Sequence, residues 1–192
     1  MIERIRADNE PTLELYRSEQ FVEILPETKP VDRGALELAC NGVYGAASTF
    51  SEWTFSEPDA AAREVFAVLA DRKQFHLERL GSRIPGQFEA TAGGPVHNYL
   101  RECRETPARV GAGLLGRTLL EQCAYECFLS EMSLRDPTRT ALELVYHDTE
   151  TTLEEASDLV AGRPQDERTV IRDHCDHVID TGRQAVESVL SS

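Results

Sequence analysis

Apolar residues recur three and four positions apart along most of the chain, and no stretch shows the alternation of a strand worth defending. Leu36, Ala39, Cys40, Val43, Ala47 and Phe50 form one such helical side, and Phe66, Leu69, Lys73, His76 and Leu80 form a stripe on the next segment. Two titratable side chains therefore stand on a stripe that packing would bury. Glu37 and Tyr44, seven residues apart, share one face of the first of these segments.

Proline at a first helical position behind a small polar residue recurs and marks where the helices begin. A first helix is expected over about 11–25, capped by Asn9 and stopped by Pro26 and Pro30. A second starts after Asp32 and reaches about Trp53; Ser56-Glu57-Pro58-Asp59 then opens a third that continues through Leu80 to a Gly81 stop. These two should form an antiparallel hairpin. The segment 81–95, with Pro85, Gly86, Gly93 and Gly94, reads as a crossover followed by a short element near 99–103. Thr106-Pro107 opens a helix to about Met132, Asp136-Pro137 another to about Val160, and Gly162-Arg163-Pro164 precedes a last one ending near Leu190.

The expected fold is all-α and occupies 1–192 as a single domain, with an N-terminal arm (1–30), a hairpin (31–81), a crossover (82–106) and three further helices (107–192). Four antiparallel helices would form a bundle. The last helix would pack alongside or close it, and the N-terminal helix would be available for contact in a homodimer.

Composition narrows the partners. The formal charge of −14 disfavours nucleic acid and anionic lipid. No run of eighteen apolar residues occurs, and Met1-Ile-Glu-Arg-Ile-Arg lacks the apolar centre of an export signal, so a cytoplasmic protein off the membrane is expected. Lys29 and Lys73 are the only lysines against 34 acidic residues, a balance that suits concentrated salt. The five cysteines, Cys40, Cys103, Cys123, Cys127 and Cys175, are odd in number and include no Cys-x-x-Cys pair, which argues against a disulfide framework.

Glu37 followed seven residues later by Tyr44, then Phe66 with His76 ten residues on and Ala70 in register, resembles the rubrerythrin branch of the ferritin-like superfamily over roughly 33–81. The resemblance implies a ferritin-like bundle with a non-haem di-iron site and chemistry on dioxygen, peroxide or iron. It implies Glu37 and His76 as ligands, whereas the position of the family's bridging glutamate holds Lys73. A lysine donates hydrogen bonds and ligates metal only when deprotonated. Lys73 therefore turns inward to pair with Glu37 on the facing helix, extends its amine to water, or takes a more active role.

Glu121 repeats the spacing of Glu37, with Phe128 seven residues on and Tyr125 between. The next helix offers Glu155-Ala-Ser-Asp158 in place of Glu-x-x-His, and Glu150, Glu154, Glu155 and Asp158 read as a solvated face. In Asp173-His-Cys-Asp-His177, His174 and His177 have the i, i+3 spacing that chelates one ion, and either Asp could orient them. Glu37, His76, Glu121, His174 and His177 are thus the candidate metal ligands, for iron, manganese or zinc. Cys123 and Cys127, four apart, could join the histidines around zinc or serve helix packing. His97 and His147 read as surface or loop residues, and no nucleophile triad, phosphate loop or dinucleotide motif occurs. Two functions follow: an oxidoreductase or metal-binding protein with a modified site, or a metal-free relative whose Lys73–Glu37 pair underlies a binding or scaffold module.

Overall fold

The computed structural model describes residues 1–26 and 30–191, and these contain helices and no strand. Lys29 lies outside them. The hairpin is α4 (Val31–Ser56) and α5 (Ala60–Gly81), with Asp59 accepting a hydrogen bond from the Ala62 backbone N–H as the α5 N-cap. Phe50 and Trp53 of α4 meet Phe66 of α5 with ring centroids 5.9 and 5.2 Å apart, each pair worth about 1 kcal/mol beyond its burial. The second pair is a continuous rod, α7 (Thr106–Arg109), a π-helical stretch (Val110–Gly116) and α8 (Arg117–Glu131), followed by α9 (Asp136–Ala161).

The crossover has to be long. Arg109 at the start of the second pair donates to Glu57 Oε2 at 2.9 Å, so the chain leaves α5 at one end and re-enters at the other, beside the α4–α5 turn. It covers a rod of 22 residues, about 33 Å at the helical rise. Part of that path is α6 (Pro95–Glu102), earlier and longer than the element expected there, entered through Gly94 at φ +93°. The result is that α5 lies antiparallel to α9, with α4 and α8 completing four rods around one core.

α10 (Gln165–Leu190) packs on α6, α7, α8 and the π-helical stretch. Glycine makes the approach possible, because a Cβ at Gly111 would collide with the Ile171 carbonyl of α10 and one at Gly116 would come within 2.8 Å of the Cys175 carbonyl.

The N-terminal arm departs from expectation. It is three short helices, α1 (Ile2–Asp8), α2 (Glu10–Arg17) and α3 (Glu19–Val22). Asn9 separates the first two and makes no cap with its side chain, which instead donates to Ile5 O and to Asp176 on α10. Ser18, in an extended conformation, makes the second break. Ile5, Leu13 and Phe21 are buried, against α8 and α10. The arm expected to be available for dimer contact thus packs these three side chains against its own chain. No helix among the described residues is long and apolar enough to cross a membrane.

Candidate functional site

Halfway along the four rods the core turns polar. Lys73 on α5 is 0 % exposed, and its Nζ donates to Asp148 Oδ2 on α9 at 2.7 Å and lies 3.7 Å from Glu121 Oε2 on α8. Arg72 reaches Asp148 Oδ1 at 3.0 Å and Glu155 Oε1 at 2.7 Å. Arg117 pairs with Glu121 Oε1 and stacks 5.7 Å over the Phe50 ring. Lys73, Arg72 and Arg117 thus face Asp148, Glu121 and Glu155, and the formal charge of the network cancels. Such balance is what keeps buried ions tolerable.

The acid opposite Lys73 is therefore Asp148, not Glu37. The Phe50–Phe66 contact sets the hairpin register and brings Lys73 level with Val43, six residues beyond Glu37, about 9 Å along the axis. Glu37 instead accepts from Arg33 Nε at 2.7 Å near the start of α4. Burial alone would raise the Asp148 carboxyl, but His76 and Lys73 beside it outweigh that and hold it well below the usual carboxylate range. His76, also buried, brings Nε2 to 3.4 Å from Asp148 Oδ2. Neither of its ring nitrogens makes a hydrogen bond to the described residues.

Of the five candidate ligands, His76 and Glu121 come to this network and the others do not. His174 and His177 lie on the side of α10 that meets α6, where Tyr99 bonds to His174 Nδ1 at 2.5 Å and its ring sits tilted against that of His177, with centroids 4.3 Å apart. Tyr44, expected beside Glu37 on an inward face, is 37 % exposed. Cys127 donates to Ser18 O, and all five cysteines are buried free thiols, with burial pushing Cys40 and Cys123 up to about 12. Among the described residues no three His, Cys, Asp or Glu side chains converge as a metal cluster. The donor set does not fit a metal pair: the space between Asp148 and Glu121 is held by an amine that also claims Asp148 Oδ2.

Asp148 and His97, both at the candidate site, were not among the expected site residues. Asp148 lies on Ala141, Val145, Asp148 and Thr152, an inward row adjacent to the apolar one through Leu142, Thr149 and Leu153, and the 4-3-4 spacing was its signal. His97, expected on the surface or in a loop, is half-buried on α6 against the Gly45 backbone, where a Cβ would collide with its ring. Burial, with Arg117 nearby, lowers its imidazole to about 4. His147 is exposed as expected, 3.0 Å from Glu150. In the expected solvated face, Glu155 is the exception, held by Arg72.

His97 belongs to a cavity of about 310 Å³ between α2, α3, α4, α8, α10 and the entry to α6. Its walls include Phe21, Leu38, Ala124 and Val186, and Arg117, Glu121, His97 and Tyr125 stand among its polar lining. Burial and the nearby Glu121 raise the Tyr125 phenol well above its ordinary value, so it stays neutral. Set against known proteins, the chain matches no family model, no curated protein and no solved structure.

Proposed function

We propose that this chain is a metal-free relative of the ferritin-like bundles, with a lysine-centred ion network where those proteins hold metal, and that it serves as a small-molecule binding module. The observation that carries this reading is the Lys73 ammonium, fully buried and 2.7 Å from Asp148 Oδ2 at the middle of the four rods. A bridging carboxylate would bind a metal pair and neutralise it; an ammonium supplies the positive charge without the ion. The cavity beside the network gives the module its place to bind.

One observation favours the other reading, an iron, manganese or zinc oxidoreductase: both His76 ring nitrogens are buried without a hydrogen bond to the described residues. An ion using His76, Glu121 and Asp148 would first have to displace Lys73. Elemental analysis separates the two. Protein produced with added iron and purified without chelator is expected to carry no stoichiometric iron, manganese or zinc, and an ion content near one or two per chain would overturn the proposal. A double-mutant cycle tests the network: Lys73→Met should cost about 3–5 kcal/mol while Asp148 is present and far less alongside Asp148→Asn. Equal losses in both backgrounds would mean that the two side chains do not act as a pair.

A further inference from the structure

Three buried polar atoms among the residues that line the cavity lack a hydrogen bond to the described residues: Arg117 Nη1, Glu121 Oε2 and His97 Nδ1. The first is a donor, the second an acceptor, and the third takes either role according to its tautomer. Arg117 is 3 % exposed, yet besides its place over the Phe50 ring its guanidinium makes the Glu121 pair and a 3.4 Å contact with Gly42 O, and Nη1 has no hydrogen-bond partner among the described residues. Glu121 Oε2 has the Lys73 ammonium 3.7 Å away but no donor at hydrogen-bond distance; a buried group without a hydrogen bond costs roughly 1–3 kcal/mol, so a ligand that supplies one gains what the site lacks.

The geometry points to an uncharged amphiphile as the occupant: an aliphatic body among Phe21, Leu38, Ala124 and Val186, with a hydroxyl head at the Arg117–Glu121 pair. The orphan atoms are closed to solvent in the structure, so the head enters as the two side chains turn toward it; a hydroxyl then donates its proton to Glu121 Oε2 and accepts from Arg117 Nη1–H, satisfying two of the three atoms with one oxygen. Charge excludes the common alternatives. Arg117 and Glu121 belong to a network in which Lys73, Arg72 and Arg117 are already balanced by Asp148, Glu121 and Glu155, so a carboxylate head or an ammonium head would each bury one unmatched charge. The volume sits at the low end of ligand pockets, which suits a chain of roughly eight carbons. This inference names the ligand class for the binding module proposed above and rests on that reading.

Titration calorimetry of the full chain with 1-octanol, octanoate and octylamine tests it. Octanol should bind at one per chain and raise the melting temperature, with both charged analogues weaker by about tenfold or more. Ala124→Phe, which fills the cavity, should abolish octanol binding while helical content is kept. Glu121→Gln removes the negative charge that Arg117 and Lys73 share and should shift preference from octanol to octanoate, an inversion that a merely structural role would not produce. No octanol binding, equal binding of octanoate or octylamine, or octanol binding retained in Ala124→Phe would each overturn the ligand class. If Glu121→Gln fails to fold, the three head groups on the unaltered chain still decide. Absence of octanol binding together with absence of metal would remove only this inference, whereas stoichiometric metal would remove the reading beneath it.

Discussion

An ammonium taken out of water costs several kcal/mol unless a carboxylate meets it at hydrogen-bond distance, and Asp148 does so for Lys73 at 2.7 Å. Because the Asp148 carboxyl is held below its ordinary range, its contribution is complete above about pH 4 and disappears as pH falls through the folded-state value. His97 acts in a higher window. Its imidazole titrates near 4 when folded against 6.5 ordinarily, so the unfolded chain takes up the proton first as acid is added. Stability should therefore be complete above pH 6.5 and fall between 6.5 and about 4, by roughly 3 kcal/mol. Melting curves of the unaltered chain and of His97→Gln measure the difference; parallel curves across that window would show that His97 is not buried as described. The inward position of Lys73 was one of the alternatives legible in its stripe, but its partner was not, because a stripe records which residues face inward and not what they face.

At the scale of elements, the long helices could be read from local signals. Asp59, Thr106-Pro107, Asp136-Pro137 and Pro164 stand where helices begin in the fold, and the expected ends near 132, 160 and 190 fall within two residues of those observed. The arm could not be read so well: its breaks at Asn9 and Ser18 accompany docking on α8 and α10, a tertiary demand without a local signature. The π-helical stretch was equally hidden, since its glycines serve the backbone of α10 and not the period of their own helix. Two substitutions separate these roles. Gly111→Ala drives a methyl into the Ile171 carbonyl and should destabilise by about 2 kcal/mol or more. Gly81→Ala, at the open end of α5, meets nothing and should stabilise by about 0.4–1 kcal/mol. Denaturant midpoints check both, and a tolerated Gly111→Ala would refute the close approach of α10.

For the molecule as a whole, the charge of −14 is spread over a surface where arginine pairs are mostly local, such as Arg183 with Asp180 and Glu187. Exposed pairs of that kind contribute about 0–1 kcal/mol each, less than the repulsion expected among so many unpaired acids, so screening should favour the folded state. The melting temperature is expected to climb with molar potassium chloride; a flat or falling response in a salt titration would contradict the salt-adaptation reading. Helical class, helix limits and charge were present in the order of the residues, because hydrogen bonds four residues apart, prolines and caps act within a turn or two. The choice of Asp148 over Glu37, the partial burial of His97 and the cavity beside Arg117 came from the assembled fold. They depend on axial offset and rotation between rods far apart in sequence, where a slip of one residue, about 1.5 Å and 100°, exchanges one facing side chain for another.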